Sequence, residues 1–405
     1  MTTVPCWARV RGPLAPYAEG FRVELERLGY TPLTAATHVR LLAHLSRWLA
    51  REGVDASGLT PATVDAYFAE RRAAGYVGHV TGRALRPLLG YLRRLGVLPA
   101  PPPVAPASPE ERLLARYRDY LTTERGLAAA TIELNVRMVR PFLVDRMKAR
   151  QGRLDLEHLA AGEVTAFVVT QVRLRPKSVQ RIVTALRSLL GFLHLEGIID
   201  RSLATAVPPV AGWTQTGLPK ALDGDQVAAL LASCDQHTAT GRRDLAILTA
   251  LARLGLRAGE VAALTLDDID WRRGEITVRG KGNRHDRMPL PADVGERIVS
   301  YLRDGRPDTA QGRAVFVRAQ APYRALTSNA VTTVVVYAGR RAGLGVIGAH
   351  RLRHSVATAM LRSGGSLTEI GQALRHTRPL TTAIYAKVDI EALRQLARPW
   401  PGEPA

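Results

Sequence analysis

The chain is nearly without cysteine and poor in lysine. Cys6 and Cys234 are its two cysteines; far apart and without metal-ligand spacing, they exclude a disulfide-stapled scaffold and fit a reducing cytosol. No run approaches the roughly 18 consecutive apolar residues of a membrane-spanning helix. Nor does the amino terminus carry the basic-then-apolar pattern of an export signal. A soluble, cytoplasmic protein with no membrane partner is expected. Lysine is confined to Lys148, Lys177, Lys220, Lys281 and Lys387 among 56 lysines and arginines. Where arginine is the default cation, each lysine needs its own physical reason.

Charge of one sign is abundant. The 56 cations face 36 carboxylates, for a formal net charge of +20 and a pI near 10.8. Such an excess points to a polyanionic partner, and nucleic acid is the first candidate. At 405 residues the chain is too long for one ordinary core, so two or three domains are expected.

Residues 1–98 read as short amphipathic helices. Val39, Leu42, Leu45, Trp48 and Leu49 recur at helical spacing, then Val64, Tyr67 and Phe68, then Leu85, Leu88, Leu89 and Leu92. Residues 99–108 are rich in proline, which removes backbone donors and favours an extended form, so they are expected to be a semi-rigid linker. Residues 109–206 then repeat the first segment. Ala84 to Gly96 lines up with Ala185 to Gly197 at an offset of 101, Val64 to Tyr67 with Val164 to Phe167 at 100, and Thr34 and Val39 with Thr131 and Val136 at 97. A duplicated helical domain accounts for three matches in order; the alternative is two bundles alike only in composition. A second linker spans 207–219, followed by a domain over 220–398 and a short tail over 399–405.

The texture changes from residue 220. A helix over 242–254 should stop at Gly255, and a shorter one should carry Glu260 to Leu264. Glu275–Arg279 and 287–290 read as strands joined by a loop holding Gly280, Lys281 and Gly282. Helices follow, one of them opened by a capping box from Ser366 to Glu369. The expected fold is mainly α-helical with a small antiparallel β-sheet in the C-terminal domain.

Several residues of that domain have chemistry that converges on a phosphate. Arg257 lies just beyond a glycine helix stop, and Glu260, three residues on, can hold its guanidinium. His350 and Arg353 share one face of a helix. Two planar guanidiniums from different segments suit a pentacoordinate phosphorane, because each bonds two nonbridging oxygens and neither loses its proton. Lys281 can protonate a leaving alkoxide, which arginine cannot do; a turn lysine on the DNA backbone is the alternative. Tyr385, nine residues after His376, has a phenol that attacks phosphorus only where cations or a base activate it. No Asp, Glu and His cluster has metal-ligand spacing, and three cations would repel Mg²⁺. Phosphoryl transfer without metal or other cofactor, through a covalent enzyme intermediate, is expected.

Gly255-Leu-Arg257-Ala-Gly-Glu260, Gly280-Lys281-Gly282, His350-Arg-Leu-Arg353-His354, and His376 with Thr381-Thr-Ala-Ile-Tyr385 together resemble the tyrosine recombinases of the phage-integrase or lambda-integrase type. The style is Xer-like, and the resemblance spans roughly residues 109–398. It implies a helical, SAM-like DNA-clamp domain over 109–206 and a catalytic domain over 220–398. It further implies that Tyr385 attacks the scissile phosphate to give a 3′-phosphotyrosyl link, with Arg257 and Arg353 stabilising the transition state. Lys281 would be the general acid, His350 an acid or base partner, and His376 a donor to the phosphate. The partners implied are double-stranded DNA and other protomers, a homotetramer or heterotetramer on two DNA sites, with no use of ATP. The segment 389–396 would dock into a neighbouring subunit or onto its own domain. Two features depart from the family pattern: Arg375 stands where glycine is common, and residues 1–98 are an extra copy of the clamp, which leans toward a mobile-element context. A type IB topoisomerase and a noncatalytic DNA-binding descendant remain the alternatives.

Overall fold

The computed structural model describes residues 7–100, 108–174, 176–210, 220–280, 284–376 and 378–388. By backbone proximity the chain divides into two compact units, Met1–Pro99 with Gly217–Ala405, and Ala100–Thr216. Helices dominate both.

The N-terminal part of the first unit contains α1 (Ala18–Arg27), α2 (Pro32–Arg51), α3 (Pro61–Ala73) and α4 (Gly82–Arg94). Thr31 and Thr60 cap α2 and α3 by accepting the N–H groups of Thr34 and Thr63, and a proline follows each cap, where its missing N–H costs nothing. Leu42, Leu45 and Leu49, Tyr67 and Phe68, and Leu85, Leu88 and Leu92 form a core of their own. Trp48 stays at its margin because its indole N–H donates to Glu70 at 2.7 Å.

The second unit has the same helical order: α5 (Pro109–Thr123), α6 (Ala129–Ala149), α7 (Ala161–Thr170) and α8 (Pro176–Leu195). Its core gathers Tyr117, Val136, Phe142, Phe167, Leu186 and Phe192.

The C-terminal part of the first unit is organised around α10 (Ala239–Leu254), eleven of whose residues are buried. It packs against α12 (Ala292–Asp304) and α14 (Ala349–Arg362), with α9 (Gly224–Ala232), α11 (Ala258–Ala263) and α13 (Ser328–Arg341) around the same core. At its end Gly255 adopts φ +58°, a left-handed conformation that L-residues resist. A three-stranded antiparallel sheet adds to the same core, β1 (Ile269–Asp270), β2 (Glu275–Arg279) and β3 (His285–Pro289), with β2 against α11. Ile276 pairs with Met288, and Val278 with Asp286; Ile276 and Val278 face inward. The strand expected at 287–290 thus starts two residues earlier. The two-residue β1 has no alternation to announce it. α15 (Leu367–Ala373) opens on the Ser366–Glu369 capping box, as expected, and α16 (Pro379–Thr382) leads into a 3₁₀ turn over Ala383–Val388.

Lys281, most of both linkers, and the segment 389–396 fall outside the described residues. Among the described residues, no helix is long and apolar enough to cross a membrane.

Candidate active site

The glycine stop of α10 turns the chain so that Arg257 becomes the residue before α11. Glu260 then reaches back one turn. Its Oε2 accepts the backbone N–H of Arg257 at 2.8 Å, and its Oε1 accepts the guanidinium at 2.6 Å. The carboxylate thereby fixes both the chain and the side chain. Glu260 is buried, which alone would raise its pKa. The Arg257 N–H, the charge of Arg375 and the Arg257 guanidinium outweigh that, so its carboxyl lies below the usual range.

Arg375 is the second cation on this carboxylate, donating to Oε2 at 2.8 Å. It follows α15 and takes φ +55°, the conformation in which glycine is at ease. Its guanidinium also lies 3.2 Å from the Met288 sulfur and 3.9 Å from Asp286, so it spans from β3 to the start of α11.

Arg353 is almost completely enclosed, with 1% exposure. Its guanidinium donates to the carbonyl of Gly255 at 2.5 Å and to that of Leu374, tying the ends of α10 and α15 to α14. Its Nε–H is buried with no hydrogen-bond partner among the described residues. Burial, and then the charge of Arg257, push its pKa down to about 10, so it stays a cation at neutral pH.

His350, one turn before Arg353 on α14, is exposed. It lines a cleft of about 590 Å³ together with Arg257, Glu260, Arg279, Gly280 and Ser328. Desolvation, Arg353 and Arg257 hold its pKa below the ordinary imidazole value. His376 points Nδ1 at the hydroxyl of Thr382, 2.7 Å away, and burial followed by the charges of Arg353 and Arg257 takes it down to about 4. His376 is therefore neutral at neutral pH. Tyr385, on the terminal 3₁₀ turn, is 1% exposed and packs with Ala357, Ile370 and Leu374. Burial raises its pKa, which Arg353 only partly opposes, so in this state the phenol keeps its proton.

These elements invite comparison with known proteins. The phage integrase family model matches residues 220–391. The protein y4rA of Sinorhizobium fredii, a predicted integrase/recombinase, is 41% identical over 399 residues, covering 97% of this chain and 96% of its own. The chain belongs to the phage integrase family. Tyrosine recombinase XerD of Mycobacterium tuberculosis is 32% identical over 307 residues, 71% of this chain and 96% of that protein. A lambda integrase tetramer bound to a Holliday junction shares the fold at a TM-score of 0.53 and 17% identity, covering 72% of this chain and 79% of that one. The mainly helical architecture with its small sheet is therefore that of a tyrosine recombinase, and site-specific recombination is the activity class.

In this recombinase, Arg257 and His350 line one cleft, and Arg353 and His376 lie close enough for their charges to act on each other. Lys281 is next in sequence to Gly280 of the cleft but falls outside the described residues. Two residues were missed by sequence reasoning. Thr382 orients His376, and His354 bonds Tyr385 at 2.9 Å. The spacing of His354 from His350, four residues along a helix, was the available signal.

Proposed function

We propose that this tyrosine recombinase cleaves and rejoins double-stranded DNA through a 3′-phosphotyrosyl intermediate on Tyr385. The observation that carries the reading is Arg353: a buried guanidinium, cationic at neutral pH, pinned by two carbonyls, with one N–H that has no acceptor among the described residues. Leaving such a donor unsatisfied is unfavourable unless an anion completes it. Arg257, clamped by Glu260 and 42% exposed at its side chain, supplies a second fork at the edge of the cleft.

In the forward step, the Tyr385 oxygen forms a bond to phosphorus while the P–O5′ bond breaks, its electron pair leaving with O5′. The phenol gives up its proton to a base, for which His350 is the candidate, and the departing O5′ takes one from an acid. Lys281 is the donor to O5′, because arginine cannot deprotonate. Arg257 and Arg353 bond the nonbridging oxygens as charge builds there, and loss of one such donor commonly costs about 10² to 10³ in rate. Neutral His376, its Nδ1 accepting the Thr382 hydroxyl, donates its Nε2–H to the phosphate, and His350 serves as acid or base partner. A partner strand's 5′-hydroxyl reverses the step. The phosphodiester energy is kept, so ATP is not needed, and fixed cations take the place of a metal.

We assign a tetramer acting on two DNA sites, a reading supported by the shared fold with a lambda integrase tetramer bound to a Holliday junction. Residues 109–206 form the DNA clamp, and residues 1–98 are its duplicate, a further module for DNA binding or assembly in a mobile element. Localisation to the cytoplasm and nucleoid goes with that role.

The test uses a nicked suicide duplex whose sequence is selected from a random pool by the full-length protein. A covalent adduct is expected with the wild type and none with Tyr385→Phe, while DNA affinity is retained. DNA binding without an adduct from either protein would favour a noncatalytic DNA-binding protein. Relaxation of supercoils by a monomer without recombinant products would favour a topoisomerase.

A further inference from the structure

The phenol of Tyr385 has one hydrogen-bond partner among the described residues, and it is none of the groups assigned above. His354 Nδ1 lies 2.9 Å from Tyr385 Oη, with the two rings 5.6 Å apart and inclined at 66°. A fully enclosed hydroxyl without a partner is unfavourable, so this contact fixes where the phenol sits.

His354 is itself held. It follows Arg353 on α14, and Arg353 is tied to the carbonyls of Gly255 and Leu374. One turn earlier, His350 lies edge-on to it with ring centres 4.5 Å apart. A continuous series of rings thus runs from the cleft-lining His350 through His354 to the buried Tyr385. The position of the phenol is referred to the same helix that holds the phosphate-directed guanidinium.

We propose that His354 is a positioning residue for strand cleavage, its Nδ1 holding the hydroxyl of Tyr385 in register with the Arg353 end of α14. This rests on the reading of Tyr385 as the nucleophile. Among the described residues, the groups facing the imidazole are Tyr385, His350 and Arg353, none of them acidic. Burial, His350 and Arg353 take its pKa down to about 4. An imidazole so hard to protonate is a poor acceptor of a full proton but a sound neutral hydrogen-bond partner. Holding, rather than proton removal, is the role its surroundings favour.

The experiment compares full-length His354→Ala, His354→Phe and His354→Asn in single-turnover adduct formation on the selected nicked duplex at saturating DNA. Asparagine keeps a hydrogen-bonding atom near the Nδ1 position but cannot act as a base; phenylalanine keeps the ring but not the bond. Alanine and phenylalanine are expected to slow adduct formation roughly tenfold, as for one hydrogen bond between neutral groups. DNA affinity should stay unchanged, and asparagine should restore a rate within about threefold of wild type on the same scale. Wild-type rates in the phenylalanine variant, or an asparagine variant as slow as the phenylalanine one, would overturn the proposal. Should alanine prevent folding, the phenylalanine and asparagine pair still decides. Failure of the nucleophile reading is separate: it appears as a wild-type adduct mapped to a residue other than Tyr385, or as no adduct at all.

Discussion

Arg375 and Glu260, 115 residues apart in sequence, meet at 2.8 Å in a buried ion pair. The same carboxylate grips Arg257 through its other oxygen. One acid therefore positions a phosphate-directed arginine and anchors the turn that precedes His376. Glycine at 375 would satisfy the backbone but leave Glu260 with a single cation.

Substitution at Arg375 separates backbone from charge. Arg375→Gly and Arg375→Ala both remove the ion pair, yet only alanine keeps an L-residue at φ +55°. Chemical denaturation should find both less stable than wild type, with glycine ahead of alanine by about 1 kcal/mol. Equal stabilities would mean that the left-handed conformation carries no cost.

Glu260→Gln is expected to be worse than either. It removes the buried charge shared by Arg257 and Arg375, and breaking a buried pair from one side costs about 3–5 kcal/mol. Denaturant midpoints check the stability loss. A variant as stable as wild type would show that the two arginines find other acceptors.

Arg353→Lys keeps the charge but loses the fork. A lysine cannot donate in the same geometry to the Gly255 and Leu374 carbonyls while presenting a further N–H, so adduct formation should fall about 10² to 10³-fold. Activity near wild type would show that charge alone suffices.

Acid should destabilise the DNA-free protein through its histidines. His354 and His376 have folded pKa values near 4 against an ordinary value of 6.5, so the unfolded chain binds more protons between these limits. Their contribution is complete above about pH 6.5 and is lost as pH falls toward 4. Melting temperature is expected to drop across that window. His158, whose pKa is raised by its bond to Asp155, works in the opposite sense, so the comparison is with a His354→Asn, His376→Asn double variant, which should show a shallower drop. Identical pH profiles would contradict the assignment.

The N-terminal segment offers an electrostatic test. Residues 1–98 carry 13 arginines and 7 acidic residues, a net of +6 (13 − 7). Removing them should weaken DNA binding and flatten the dependence of log affinity on log salt, because fewer counterions are released. An unchanged slope, with unchanged self-association, would remove both roles proposed for the segment.

The helices, the hairpin and the Arg257–Glu260 contact were legible because their causes are local. Threonine caps, a glycine stop, a capping box and a three-residue ion-pair spacing all lie within one or two turns. The partners of Arg375 were not, since nothing in the sequence says that residue 375 returns to residue 260 and to β3. The Tyr385–His354 bond was hidden for the same reason. Arg353 read as a phosphate-directed guanidinium, but its enclosure and its bonds to two backbone carbonyls are announced by no periodicity.

The most direct measurement is capture of the enzyme on the selected nicked duplex, followed by peptide mapping of the labelled residue. A 3′-phosphotyrosyl link at Tyr385, absent from Tyr385→Phe and reduced about 10²-fold or more in Arg353→Lys, is the predicted result. A link to any other residue, or an adduct that survives Tyr385→Phe, would contradict the account.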